Sequence, residues 1–261
     1  MADSTSFSLR GKVIIQFGGT GLLGRALVSE LASTGCTLVV ASRNRSSLEA
    51  LAEKERGAGR TVLIEETDIG SEASLISLRD RIITQHHRVD GIVFNAVSRP
   101  MKAMNDDLAI WRQSMETNAT GFFATVRTFG DAMAKQRSGS IVNISSIYGM
   151  VGSNLSLYEG TNMTVAPDYF FHKGGMLNLT RYLGSHYGPQ GVRVNVVSPG
   201  GIYNPDAPQA PEFIERYNRI TMLGRMAEAR EVAGAVIFLL SDASTYITGA
   251  NIPVDGGHTA K

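Results

Sequence analysis

Short apolar runs and longer segments with helical spacing take turns along the chain. Runs rich in Val, Ile and Leu at 13–17, 37–41, 61–65, 91–95, 140–144, 193–197 and 251–254 predict strands. Between them, 24–33, 46–56, 72–86, 108–135, 169–187 and 228–240 carry apolar residues at helical intervals. Leu177, Leu179, Tyr182 and Leu183 fit a helix face, whereas Ile141, Val142 and Ile144 fit a buried strand. Alternation of near-continuously apolar strands with helices predicts an α/β Rossmann-type fold, a doubly wound parallel sheet of about seven strands covered on both faces. Neither a linker-like stretch nor an internal repeat interrupts residues 1–261, so a single domain is expected. Sheets of this kind bind ligands just outside the carboxyl ends of their strands, where the strand order reverses. Residues directly after strands are therefore the candidates for ligand chemistry.

The 261 residues are 43% hydrophobic, enough to bury a sizeable core, and the formal net charge is +1. A near-neutral balance leaves no electrostatic footprint for nucleic acid or an anionic membrane, which points to a small-molecule partner. Cys36 is the only cysteine, so an intramolecular disulfide and a cysteine zinc site are both excluded, and its apolar surroundings suit an inert thiol. The first ten residues are polar and no later run is long enough to cross a bilayer, so a cytoplasmic setting is expected. His86, His87 and His186 have no companions at metal-ligand spacing, and no metal is expected.

After the first strand come Gly18, Gly21 and Gly24, followed by a helical pattern. Glycines so placed let the backbone approach a pyrophosphate at a helix N-terminus, where free N–H groups and the helix dipole favour anions. The second strand runs out into Ser42, Arg43, Asn44 and Arg45, with no acidic residue to accept from ribose hydroxyls. A hydroxyl and guanidinium groups suit the 2′-phosphate of NADP(H) instead, the alternative being solvated loop cations. Asp68 follows strand three and Asn95-Ala96 closes strand four, positions that ordinary turn or capping residues also occupy.

Tyr169 and Lys173 stand four apart on a predicted helix, hence on one face. A phenol with a pKa near 10 is a poor proton-transfer group at neutral pH. An ammonium about 4 Å away favours a phenolate by roughly 4 kcal/mol at an effective dielectric of about 20, which supplies a reason for the pair. Strand five ends in Ser145-Ser146, a source of a hydroxyl for a substrate oxygen. Asn118 offers an amide able to hold a water or a backbone carbonyl, and strand six ends in Ser198-Pro199-Gly200-Gly201-Ile202, a turn able to face a flat ring.

On these motifs, and on the stretches 140–146, 169–199 and 247–257, the chain resembles the short-chain dehydrogenase/reductase family over essentially its whole length. The resemblance implies an oxidoreductase that interconverts a carbonyl and an alcohol by direct hydride transfer without a metal. It implies Tyr169 as general acid or base, Ser146 as the group polarising the substrate oxygen, and Asn118 as the holder of a relay water. Lys173 would bind the nicotinamide ribose and favour the phenolate, with Tyr169 beside it at the cofactor. Gly18, Thr20, Gly21, Leu23 and Gly24 would contact the pyrophosphate, and Ser42 and Arg43 the 2′-phosphate. Asp68 and Ile69 would meet the adenine, Asn95 and Ala96 the cofactor wall, and Pro199, Gly200 and Ile202 the nicotinamide end. A homodimer or homotetramer built through the two long helices and the last strand is also implied.

Several positions depart from the family pattern. Phe17 precedes the first glycine where Thr is common, the Gly-x-x-Gly-x-x-Gly spacing resembles a longer nucleotide-sugar-modifying branch, and Val97, Asn204 and His172 replace usual residues. Ser146 and Tyr169 stand further apart than in most members, through an insertion at 153–166. Tyr158 lies nearer the usual distance from Ser146 but has Asn162 where the lysine belongs, so Tyr169 is the catalytic tyrosine of choice. The insertion resembles that of members in surface-glycan and nonulosonic-acid pathways, flagellin-modification PtmA-like oxidoreductases among them, which implies a sugar, sugar-phosphate or sugar-nucleotide substrate. The competing readings are a 3-oxoacyl-thioester reductase and a non-catalytic NADP-binding regulatory module.

Overall fold

The computed structural model describes residues 6–260; residues 1–5, half of the polar N-terminal stretch, and residue 261 lie outside it. The predicted strands form one parallel sheet: β1 (Val13–Phe17), β2 (Thr37–Ser42), β3 (Leu63–Glu66), β4 (Gly91–Phe94), β5 (Gly139–Ile144), β6 (Val192–Pro199) and β7 (Asn251–Val254). Their order is β3-β2-β1-β4-β5-β6-β7, so the winding reverses between β1 and β4 and opens the ligand crevice there. The fold is the single-domain Rossmann-type α/β arrangement.

Alternation along each strand divides the core in two. Ile15, Phe17, Ile92 and Phe94 point to the face covered by α3 (Glu72–His86), α5 (Gly121–Gln136) and α6 (Pro167–Tyr187). Ile14, Val93, Val142 and Ile144 point to the face covered by α1 (Leu22–Ser33), α2 (Arg45–Gly57) and α8 (Ala233–Leu240). Each central strand is thus apolar on both sides, which is what a sheet covered on both faces requires. Phe129 of α5 is fully buried against Phe17, and its truncation to Ala is worth about 3–5 kcal/mol.

Two segments differ from the sequence expectation. The single helix expected over 108–135 is α4 (Leu108–Met115), a π-turn at Glu116–Thr120, and then α5. The π-turn is the local widening that brings Asn118 inward onto another segment, as such bulges do at functional sites. A helix not expected, α7 (Pro211–Ile220), follows β6. Its signals were present, Pro211 at the first position with Glu212 beside it, and Phe213 and Tyr217 one turn apart on its buried face. Among the described residues no helix is long and apolar enough to cross a membrane.

Above the carboxyl edge lies a third, smaller cluster: Ile147 and Leu157 with Phe213, Tyr217 and Met226, flanked by Tyr148, Tyr158 and Met163. Arg216 of α7 donates to the carbonyls of Ser156 (3.2 Å), Leu157 (3.4 Å) and Glu159, locking the 153–166 segment to that helix. Met226 packs here, whereas Met222 and Leu223 are exposed.

Candidate active site

A cleft of about 900 Å³ runs along the carboxyl edge of the sheet across the switch point. At one end, β1 turns sharply at Gly18, which has φ +81°; a Cβ there would come within 2.6 Å of the Ala96 backbone. Only glycine allows the two strand ends to approach so closely. The Asn95 amide donates to the Gly18 carbonyl at 2.8 Å and fixes that crossing. Helix α1 then starts at Gly21 with no side-chain cap and with open space above the glycine. Its first N–H groups are left for a ligand, and an anion is the partner they favour. Thr20, Leu23 and Gly24 line the same wall.

The turn after β2 supplies Ser42 and Arg43 to the cleft. Asn44 instead caps α2, accepting from the Ser47 N–H at 2.8 Å, and Arg45 pairs with Glu49 at 2.8 Å along that helix. Of the two arginines, Arg43 is therefore the one turned to the cleft. Ile69, Pro199, Gly200 and Ile202 line it too. Asp68 does not: it is exposed, and its carboxylate accepts from the Gly70 N–H at 3.0 Å, the local turn bond open to any Asp at such a place.

At the other end, β5 leads into Ser145 and Ser146. The Ser145 hydroxyl donates to the Lys173 carbonyl at 3.0 Å and is structural. A Cβ on Gly149 would fall 2.7 Å from that same carbonyl, so the segment after β5 lies directly on α6. This contact carries Ser146 to the side of the cleft lined by Tyr169 and Lys173. The Ser146 Oγ accepts from the Tyr148 N–H at 3.2 Å, which leaves its own hydrogen available to a ligand oxygen.

Helix α6 begins at Pro167, pre-set for a first turn, and places Tyr169 and Lys173 one turn apart. The Lys173 amine is buried, donates to the Ile144 carbonyl at 2.6 Å and sits 5.6 Å from the centre of the Tyr169 ring. Burial, and secondly the charge of Arg99, hold this amine down at about 7, far below an ordinary lysine. His172 lies edge-on to the Tyr169 ring with centroids 5.3 Å apart. Burial, then Lys173 and Arg99, push it down to about 3, so the ring is neutral, and neither nitrogen has a hydrogen-bond partner among the described residues.

Asn118 is buried and does not line the cleft. Its amide donates to the Ser98 carbonyl and accepts from the Ser98 N–H, both at 2.8 Å, and also donates to the Ser114 hydroxyl at 3.0 Å. Ser114 in turn donates to buried Asp168 at 2.5 Å, so one polar chain joins α6, α4 and the loop after β4.

Some cleft residues were missed in the sequence. The Arg99 guanidinium carbon lies over the Tyr169 ring, 4.4 Å from its centroid, and Tyr148 shares its hydroxyl with that of Tyr158. Burial, then the bond to Tyr148, raise Tyr158 well above an ordinary phenol, so it stays neutral. Arg99 follows a strand end by only a few residues, a position that could have flagged it. Tyr158 and the 163–166 stretch line the cleft, so this segment faces the ligand space.

The family model described as enoyl-(acyl carrier protein) reductase matches residues 21–259. Cis-4-hydroxycyclohexanecarboxylate dehydrogenase of Sinomonas cyclohexanicum is 34% identical, over 95% of this chain and 97% of that one. Galactitol 2-dehydrogenase (L-tagatose-forming) of Cereibacter sphaeroides is 30% identical over 98% of each. 3-Oxoacyl-[acyl-carrier-protein] reductase of Aquifex aeolicus is 32% identical, over 95% of this chain and 98% of that one. Among solved structures, a short-chain type dehydrogenase/reductase from Mycobacterium marinum superposes with a TM-score of 0.85 at 26% identity, covering 98% of each chain. A short chain dehydrogenase from Leptospira borgpetersenii with bound NAD+ does so at 0.86 and 25%, covering 99% of this chain and 97% of that one. With glycine turn, serine, tyrosine and lysine set around one cleft, the chain belongs to the short-chain dehydrogenase/reductase family of oxidoreductases.

Proposed function

We propose that this oxidoreductase interconverts an alcohol and a carbonyl on a polar, sugar-like substrate with NADP(H), using Tyr169 as the proton-transfer group. The observation that carries the reading is that Ser146, Tyr169 and buried Lys173 line the cleft that also takes in the uncapped start of α1. The residues fit a dinucleotide: free amides at Gly21 for its pyrophosphate, Arg43 for a 2′-phosphate, and Pro199 to Ile202 beside its nicotinamide. When bound, the nicotinamide supplies a hydride to the substrate carbon, or takes one up.

The protein's own groups handle the oxygen. During reduction the Ser146 hydroxyl donates to the carbonyl oxygen and draws its charge, while the Tyr169 hydroxyl delivers the proton that completes the alcohol. Oxidation runs the same transfer backwards, with Tyr169 accepting. Lys173 spends one N–H on Ile144 and keeps the others for ribose hydroxyls, which ties its charge to an occupied cleft. Asn118 acts from behind by setting the Ser98 backbone. Tyr148, Tyr158 and the cluster above them exclude water from the reacting end. Segment 153–166 is the substrate-side insertion and lines the cleft with Tyr158, Met163, Thr164, Val165 and Ala166. A homodimer or homotetramer through α5, α6 and β7 accounts for exposed Phe123, Phe171 and Tyr182.

The relatives named for a hydroxycyclohexane and a polyol support an alcohol-bearing substrate. The relative named as a 3-oxoacyl reductase favours a second reading, reduction of a thioester-linked ketone. The neighbour with NAD+ makes NAD(H) the rival cofactor.

Following reduced-nicotinamide absorbance with ketosugars and a 3-oxoacyl thioester, each with NADPH and NADH, separates these readings. Turnover of ketosugars, lost roughly 10³-fold in Tyr169→Phe while cofactor binding persists, is the expected result. Tight cofactor binding without turnover of any carbonyl would instead identify a regulatory module.

A further inference from the structure

We propose that Arg99 is the receptor for a carboxylate or phosphate group on the substrate, so that this cleft selects an anionic alcohol or ketone over its neutral counterpart. The proposal deepens the reading above and rests on Tyr169 marking the reacting end.

The central carbon of the Arg99 guanidinium lies over the Tyr169 ring, 4.4 Å from its centroid, in the wall of the cleft. A cation–π contact is not a hydrogen bond to an acceptor, so the guanidinium N–H groups remain suited to a forked bond with an anion. Among the described residues those N–H groups meet no acceptor. Arg25, Arg45, Arg60, Arg88 and Arg225, by contrast, each pair with a carboxylate. Lys102 lines the same wall from the same loop, its ammonium resting on the Arg99 carbonyl at 2.9 Å. Among the described residues the only acid in the wall is Asp168, which is buried and taken up by the Ser114 hydroxyl. Nearby Asp106 is spent on the N–H groups of Lys102 and Ala103. No side chain in the cleft therefore neutralises Arg99.

The loop holds its arginine in place. Both backbone groups of Ser98 are bonded to Asn118, and the Asp106 carboxylate closes the turn behind Lys102, so the backbone on either side of Arg99 is held before any ligand arrives. Its charge depresses both Lys173 and His172, an electrostatic cost inside the site. A bound anion next to Arg99 removes that cost and restores charge to Lys173, coupling occupancy of the receptor to the readiness of Tyr169. Arg43 serves the opposite end of the cleft, after β2, and so does not compete for this role.

Three probes share one six-carbon chain and differ at its end: sorbitol, gluconate and sorbitol 6-phosphate. Their dissociation constants are measured by calorimetry on enzyme saturated with NADP+, alongside initial rates of nicotinamide reduction, for the natural chain, Arg99→Gln and Arg99→Lys. At least one anion is expected to bind roughly tenfold tighter than sorbitol, with added salt weakening it selectively. Arg99→Gln is expected to abolish that preference and Arg99→Lys to restore part of it. Whether gluconate or sorbitol 6-phosphate gains more tells carboxylate from phosphate. Equal affinities for all three, or a preference that survives Arg99→Gln, overturns the proposal. If neutral alcohols turn over without charge preference, the receptor alone is wrong. If anions bind through Arg99 yet no alcohol is oxidised or ketone reduced, the oxidoreductase reading has failed and the receptor stands.

Discussion

Asn118 holds Ser98 by both of its backbone groups, with two bonds of 2.8 Å that join the π-turn before α5 to the loop after β4. The same amide reaches the Ser114 hydroxyl, and through it Asp168 at the first turn of α6. A side chain outside the cleft wall thereby sets three of the segments that form that wall.

Asn118→Ala leaves the half-buried Ser98 N–H and C=O without their partner. Urea unfolding is expected to show a loss of about 1 kcal/mol, the low end for stranded polar groups because water reaches them in part. The Michaelis constant should rise with it as the Ser98–Arg99 loop loosens. An unchanged unfolding midpoint would mean that water replaces the amide and that the network sets nothing.

Arg43→Ala removes the cation that faces the adenosine end of the cleft, while Arg45 remains occupied by Glu49. NADPH should bind roughly tenfold or more weakly, the worth of a charge-assisted bond to phosphate, and NADH should hardly change. Fluorescence titration with both cofactors reads this directly. Equal losses would show that Arg43 does not discriminate between them.

Lys173 ties stability to pH. Its amine titrates at about 7 in the fold against an ordinary 10.5, so between these values the unfolded chain binds a proton that the folded one lacks. Stability therefore rises with pH across that window, and the cost of burying the charge is in full force below it. The ligand-free protein should gain about 2 kcal/mol more between pH 7 and pH 9 than Lys173→Met does, by urea unfolding at each pH. Parallel pH profiles for the two proteins would place the titration elsewhere.

Much of this was legible in the chain. Every predicted strand is present within two residues of its expected ends, because strands apolar on both faces have few other ways to be buried. The Tyr169 and Lys173 pair was visible because helical spacing alone puts them on one face. The uncapped glycine turn followed from its place between strand and helix. Helix α7 escaped notice although its proline start and apolar spacing were there to read. Arg99 had one signal, its place a few residues after a strand end, but nothing within its own loop marks it off from any solvated arginine.

The sequence by itself determined the sheet, its winding and the position of the glycine turn, since these follow from local periodicity and backbone freedom. It also determined which hydroxyl, phenol and amine stand at strand ends and on a common helix face. Only the tertiary structure decided which polar groups are consumed by the scaffold and which are left facing the cleft. Asp68, Arg45 and Asn118 found partners in the protein, whereas among the described residues Arg43 and Arg99 did not. Part of that sorting is local, as between Asp68 and Gly70 or Arg45 and Glu49, whereas Asn118 meets Ser98 only because packing brings two separate segments within hydrogen-bond reach.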